Sequence, residues 1–278
     1  MNSKLAPGHM TKLAPEVRRL VAPNAGMMTG PGTNTYIVGE RDVAVIDPGP
    51  AMNDHVDAIV DAIGTAIRWV LVTHTHPDHS PAALLLARRT GAALMGRPAP
   101  AGPHQDGTFL PDRILEDGDA LSTAEFELDV LRTPGHASNH LCYRHVQLNW
   151  LFTGDHIING STVVIDPPDG NMADYLRSLE RLKSYELEAI APGHGDMLNE
   201  PHPAIDWLIR HRLAREQKVL DAVAAHPGLT SHELVAPVYT DVDSALYEVA
   251  ERSLLAHLEK LEADGRLRRG ENRWYAAC

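Results

Sequence analysis

Apolar residues in this chain come in short runs, separated by glycine, proline and charged clusters. Thr35-Tyr36-Ile37-Val38-Gly39 and Val43-Ala44-Val45-Ile46-Asp47 are nearly continuous apolar stretches joined by Glu40-Arg41-Asp42, which predicts two strands around a polar turn. Asp47-Pro48-Gly49-Pro50 stops the second strand. From Asn53 to Ile63 the period changes: Val56, Ile59, Val60 and Ile63 recur at helical spacing, with Asn53 as the expected N-cap. Ile67 to Val72 reads as a buried strand, Pro81 to Arg89 as a helix closed by Gly91, and Ala92 to Met95 as a short strand. Arg97 to Gly107, rich in Pro, Gly and Ala, reads as an exposed loop, either a lid or a plain connection. Two or three strands follow between Arg113 and Leu131, broken at Asp117-Gly118-Asp119, then strand pairs over Leu141 to Phe152. Met172 to Lys183 is a helix with Leu176, Leu179 and Leu182 inward, and Leu187 to Ala191 returns as a strand.

Strands and helices alternate, yet several strands are hairpin-paired. The expected architecture is therefore sheets with helices outside, not a doubly wound Rossmann sheet. No Gly-x-Gly-x-x-Gly or Walker sequence supports a nucleotide-cradling loop. From Pro203 the character changes. Ala204 to Ala225 is a long helical pattern, Leu229 to Val235 a short capped helix, and Ser244 to Glu262 a helix with Leu246, Val249, Leu254, Leu258 and Leu261 on its inner stripe. Gly265 to Tyr275 reads as a β-hairpin. Three helices and a hairpin are the order of a winged helix, so a catalytic domain is expected over 1–205 and a small C-terminal domain over 206–278.

Composition narrows the classes. Hydrophobic residues make up 44% of the 278 and charged residues 22%, ordinary for a globular chain, while aromatics at 5% leave the core to Ala, Val, Leu and Ile. The net charge of -12 opposes non-specific attraction to nucleic acid or an anionic membrane. Ser244 to Ala263 carries four Glu against one Arg and one Lys, which argues against a recognition helix in duplex DNA. The hairpin is basic, with Arg266, Arg268, Arg269 and Arg273 beside Trp274 and Tyr275. Such a surface suits single-stranded nucleic acid, or else the aromatics fill a small core and the arginines are solvated. Only Cys142 and Cys278 are present, no run approaches a membrane span, and Met1 to Glu16 lacks a signal-peptide apolar block. A cytoplasmic protein with a poorly ordered start is expected.

The chemistry concentrates in Thr73-His74-Thr75-His76-Pro77-Asp78-His79, where three imidazoles and a carboxylate sit at His-x-His-x-Asp-His spacing between a strand and a helix. Zinc prefers nitrogen and carboxylate ligands, and a strand end holds them on a rigid base. In extended chain, His74 and His76 project to one side, and Asp78 and His79 lie past the bend. Three further candidates each follow an apolar strand beside glycine: His136 in Thr133-Pro134-Gly135-His136, Asp155 in Thr153-Gly154-Asp155, and His194 in Pro192-Gly193-His194-Gly195-Asp196. His140 and His156, close to ligands in sequence, read as supports for metal-bound groups.

This set of motifs, from Thr33 to Gly195, resembles the metallo-β-lactamase superfamily. The resemblance implies a four-layer αββα sandwich, with one zinc on His74, His76 and His136, a second on Asp78, His79 and His194, and Asp155 bridging them; iron and manganese are alternative metals. Asp47 matches an early Asp that is usually structural. The bridging Asp155 sets the chain apart from penicillin-hydrolysing members, and His76 from flavodiiron oxidoreductases, which have Glu there. Gly30 to Gly39, the His-Thr-His-Pro-Asp-His-Ser-Pro-Ala-Ala run and the C-terminal tail are most similar to the β-lactamase-like protein 2 group. That group is implicated in single-stranded RNA cleavage, and its fungal relatives in acyl-carrier thioester hydrolysis. The expected activity is thus a dinuclear zinc hydrolase using a metal-bridging hydroxide, with Asp78 also orienting that nucleophile or taking its proton. The expected substrate is a small ester or thioester, with single-stranded RNA as first alternative and a mononuclear iron persulfide dioxygenase as second. No duplex DNA or membrane partner is expected. The resemblance also gives the tail a part in covering the active-site edge or in forming a homodimer.

Overall fold

A computed structural model describes residues 5–277. The chain forms two compact units: the first takes in the chain up to Thr133 with Asn139–Thr162 and Glu186–Pro201, the second Pro134–Ser138, Val163–Tyr185 and the chain from His202 onward.

The first unit is built on two sheets. Strands β1 (Thr11–Ala14), β2 (Val17–Val21), β3 (Asn34–Val38) and β4 (Val43–Ile46) run antiparallel. They continue, parallel, into β5 (Ile67–Leu71), β6 (Ala93–Gly96) and β7 (Arg113–Ile114). The crossovers carry helices α1 (Asn53–Ile63) and α2 (Ala82–Thr90). The second sheet runs β12-β11-β10-β9-β8, from β8 (Ala120–Ser122), β9 (Glu127–Arg132), β10 (Leu141–His145), β11 (Trp150–Gly154) and β12 (Ala189–Pro192). Only its β11–β12 pair is parallel.

Period-two alternation sorts the side chains. Tyr36, Val38, Ala44, Ile46 and Leu71 point inward and meet Phe126, Leu128, Val130, Tyr143 and Phe152 of the other sheet. Tyr36 and Phe152 lie with ring centroids 5.0 Å apart. Ile37, Val45 and Val70 face the other way, onto Val56 and Ile59 of α1 and Ala83 and Leu86 of α2. Both faces of β3 and β4 are therefore covered, which is why those runs are continuously apolar.

The second unit contains helix α3 (Met172–Leu182), with Asn171 capping it by accepting from the Asp174 N–H. Helices α4 (Pro201–Ala225), α5 (Ser231–Val238) and α6 (Tyr247–Ala263) and the hairpin β13 (Leu267–Gly270) and β14 (Arg273–Ala276) follow. Thr230 and Glu233 form a capping box on α5. Val219, Val223, Leu234, Val238, Leu254, Leu258, Leu261, Leu267 and Trp274 make one small core, that of a winged helix. Trp274 is 1% exposed, so it fills this core. Glu271 and Asn272 take positive φ (50° and 63°), as a tight hairpin turn requires. No helix among the described residues is long and apolar enough to cross a membrane.

Local differences from expectation have local reasons. Met52 is the N-cap residue of α1 and makes no side-chain cap bond, so Asn53 is already helical. β12 starts two residues later than the apolar run and includes Pro192, because it pairs β11 from Ala189 onward. Ser244–Leu246 is a separate 3-10 turn, its start held by Asp243, whose side chain accepts from the Ala245 N–H. Leu176, Leu246 and Val249 are half-buried, while Tyr175 and Ala250 take the inner positions. Thr11–Ala14 is a half-buried edge strand whose pairing partner, not its own pattern, defines it, and residues 1–4 lie outside the described residues.

His55 gives this unit a pH dependence. Thr35 Oγ1 donates to the Asp47 carbonyl (2.8 Å) and lies 2.9 Å from His55 Nε2, so it accepts the imidazole proton there. Burial pushes the His55 pKa down to about 4. The folded state thus prefers the neutral ring. Its contribution is complete above the unfolded value near 6.5, is lost as pH falls from there toward 4, and amounts to about 3 kcal/mol at most. Denaturant unfolding at pH 7 and pH 4.5 should show a smaller pH effect in His55→Leu than in wild type; equal effects would refute this account.

Candidate metal centre

The site grows from the ends of β4 and β5. Asp47 closes β4 with its backbone turned left-handed (φ 49°), a conformation Asp tolerates better than most residues. That turn sends its carboxylate across the end of β5. Oδ1 accepts from the Thr73 N–H (2.7 Å), and Oδ2 accepts from the Thr73 hydroxyl (2.7 Å) and from His79 Nδ1 (2.9 Å). Since Thr73 donates its one hydroxyl proton to Asp47, it must accept from His74 Nδ1, 3.0 Å away. His194 Nδ1 faces the Gly32 carbonyl at 3.3 Å. In His74, His79 and His194 alike, Nδ1 is held as a donor, so Nε2 is the nitrogen that faces the cluster, as a metal ligand needs.

Those Nε2 atoms converge. His79 Nε2 lies 3.4 Å from Asp78 Oδ2 and 3.4 Å from Asp155 Oδ1, and His194 Nε2 lies 3.2 Å and 3.3 Å from the same two oxygens. A tetrahedron with bonds near 2.0–2.1 Å has edges of about 3.3 Å, so the four atoms have the spacing of a zinc coordination shell. His79 Nε2 and His194 Nε2 are buried and face these carboxylate oxygens. His74 Nε2 lies 3.1 Å from His76 Nδ1, the same ligand-edge spacing in a second place. His136 sits in the second unit on the Pro134–Ser138 segment, where its Nδ1 lies 2.7 Å from the Val164 carbonyl. His140 is fully buried and stacks on His74 with centroids 5.0 Å apart, its Nδ1 2.9 Å from Thr133 Oγ1.

Close approach of these loops depends on two glycines. A Cβ on Gly154, whose φ is +45°, would lie 2.3 Å from Thr73 Oγ1. A Cβ on Gly193 would lie 2.7 Å from Asp155 Oδ1.

Residues 28–194 match the profile of the metallo-β-lactamase superfamily, and residues 230–274 that of the β-lactamase-associated winged helix domain. The chain belongs to the metallo-β-lactamase superfamily. It is 30% identical over 273 residues to the "Beta-lactamase-like protein 2 homolog" of Drosophila melanogaster, covering 93% of this chain and 92% of that one. It is 28% identical to the "Atrochrysone carboxyl ACP thioesterase" of Passalora fulva, covering 95% and 82%. Among solved structures, a β-lactamase domain protein from Burkholderia ambifaria superposes with a TM-score of 0.82 at 22% identity, over 98% of this chain and 94% of that one. The fold is the superfamily's, extended by the winged helix, and the chain is a hydrolase of that superfamily with a His/Asp cluster suited to metal.

Charge at this superfamily site is tightly balanced. Burial disfavours the imidazolium of His79, but Asp78, Asp155 and Asp47 outweigh it and raise the pKa well above the ordinary value. His194, also opposed by burial, is raised by Asp155 and Asp78 to about 10. Asp78 and Asp155 are correspondingly lowered, their imidazolium neighbours overcoming the cost of burial. Protons thus occupy the two Nε2 positions of the metal-free site at neutral pH.

The Arg97–Gly107 loop is tied to the same centre. The Asp106 N–H donates to the Thr75 carbonyl (2.7 Å), and Asn139 Nδ2 donates to Thr75 Oγ1 (2.8 Å) and to the Pro98 carbonyl (3.2 Å). The Ser80 hydroxyl donates to Asp106 Oδ2 (2.7 Å). The roles of Thr73 and Thr75 went unread in the sequence, although each sits directly beside a candidate ligand.

Two outcomes follow for the centre. Metal binding should release about two protons at pH 7, from His79 and His194, so affinity rises with pH; calorimetry in buffers of different ionisation heat measures this, and a proton-neutral reaction would contradict it. Asp47→Ala should weaken metal binding by about 10–100-fold, the usual cost of losing the partner that orients a ligand, measured by chelator competition.

Proposed function

We propose that the chain is a dinuclear zinc hydrolase of small esters or thioesters. The observation carrying this reading is the ring of His79, His194, Asp78 and Asp155 atoms at 3.2–3.4 Å. The likeness over 95% of the chain to an acyl-carrier-protein thioesterase supports the substrate class. In the proposed assignment His74, His76 and His136 hold one ion, Asp78, His79 and His194 the other, and Asp155 is shared. Two zinc ions bound there supply a hydroxide nucleophile at neutral pH and a Lewis acid for the carbonyl oxygen.

The chain's own residues do the rest. Thr73 and Asp47 fix the ring of His74, and Asp47 that of His79, so neither turns during reaction. Asp78, the most exposed carboxylate of the cluster (27%), would orient the nucleophile or take its proton. The catalytic domain is assigned to 1–205 and the accessory winged helix to 206–278. A cytoplasmic setting is assigned, in keeping with a chain of only two cysteines.

Single-stranded RNA is the less favoured substrate. Trp274 is buried in the core of the tail and is not open to a base, and the half-buried Tyr275 ring already carries Arg268 at 4.4 Å from its centroid. A persulfide dioxygenase reading needs one iron, and metal analysis separates it from two zincs.

Zinc-loaded protein should hydrolyse acyl-cysteamine thioesters, chelator should abolish turnover, and Asp78→Ala should reduce it by about 10²–10⁴-fold. Chelator-sensitive cleavage of labelled single-stranded RNA without thioester turnover would reverse the substrate assignment.

A further inference from the structure

His194 reaches the cluster from a loop that must be held from outside. Residues 192–196 have glycine on both sides of the histidine, so the local chain cannot orient the ring by itself. Strands β2 and β3 hold it instead. Asn34 N–H donates to the Gly193 carbonyl (2.8 Å), and Asn34 Nδ2 donates to the carbonyls of Pro192 (2.8 Å) and Gly195 (2.8 Å). The Tyr36 hydroxyl donates to the Pro192 carbonyl (2.9 Å), and burial, which raises its pKa, keeps it protonated. On the far side Asn159 N–H donates to the His194 carbonyl (3.3 Å) and Asn159 Nδ2 to the Asp196 carbonyl (3.0 Å).

One contact in this set is charged. Arg19 of β2 is 0% exposed, and its Nη1 donates to Asp196 Oδ1 at 3.0 Å. It also hydrogen-bonds Tyr36. A guanidinium is costly to bury, and an apolar residue would serve the sheet better at that position. What Arg19 adds is a charged anchor on the Asp196 side chain, next to the backbone carbonyls that Asn34, Tyr36 and Asn159 hold. Asp196 Oδ1 also accepts the Met197 N–H (3.0 Å), so the loop leaves the site in a fixed direction.

We propose that Arg19 is a positioning residue, which holds the Pro192–Asp196 loop so that His194 completes the site of Asp78, His79 and Asp155. The proposal rests on the dinuclear reading above only for the expected ion count. His74 and His76 stand on a separate loop after β5, so loss of Arg19 should empty one position and spare the other.

The test compares wild type, Arg19→Met, Arg19→Lys, Asp196→Asn and His194→Ala. Zinc content and stepwise zinc affinity against a chelator are measured, with hydrogen–deuterium exchange of the metal-free proteins over residues 190–198. Arg19→Met should bind one ion where wild type binds two, as His194→Ala does, with the second constant weaker by about 10–100-fold. Exchange should rise within 193–197, and Arg19→Lys should recover most of the second constant. Asp196→Asn weakens the same pair from its solvent side and decides the question if Arg19→Met does not fold. Unchanged zinc constants and unchanged exchange in Arg19→Met or Asp196→Asn would overturn the proposal. A wild-type content of one ion would sink the dinuclear reading alone; the match to His194→Ala and the exchange data would still decide the role of Arg19.

Discussion

The Asp47 carboxylate is the constraint on which the centre depends. It is 2% exposed, and a buried carboxylate is tolerable only when its oxygens are fully engaged. Thr73 supplies two of its donors and His79 the third. The same three bonds fix the start of the ligand loop, the ring of His79 and, through the Thr73 hydroxyl, the ring of His74. One residue at the end of β4 thus orients two imidazoles of the cluster. Its left-handed backbone is a cost the site bears for that reach.

The sandwich explains why such precision is available. Rows of inward side chains from both sheets lock β4, β5, β11 and β12 together, and a residue of the centre follows closely after the end of each. Gly154 and Gly193 then remove the side chains that would keep the ends apart. Carboxylates brought this close repel one another unless cations intervene. In the metal-free protein the protons on His79 and His194 fill that role, and an ion does so more effectively. The cluster is therefore a site prepared for positive charge.

The tail is stabilised differently. Its core is small, and it recruits Trp274, the largest fully buried side chain among the described residues. The basic residues of the hairpin are largely engaged within the unit. Arg266 pairs with Glu216, Arg273 with Glu233, and Arg268 and Arg269 lie over Tyr275 and Trp274. A basic hairpin whose composition suits a nucleic-acid surface thus has a structural use inside its own domain.

The sequence by itself determined the strand runs, the winged-helix order and the clustering of candidate ligands from His74 to His79, because each is a local pattern. Periodicity reports burial, and four ligand-type side chains within six residues seldom gather except around an ion. It also placed His136, Asp155 and His194 at strand ends, where glycine marks a tight turn. Tertiary structure alone decided which strand ends meet, what partners orient each imidazole, and what holds His194 in place. Arg19 reads as an exposed charge in a strand until Asp196, 177 residues away, is brought to it. Asn34 likewise becomes legible only when the carbonyls of Pro192 and Gly195 arrive beside it. Local pattern encodes how much each residue is buried; the identity of its partner is set by the packing of distant segments.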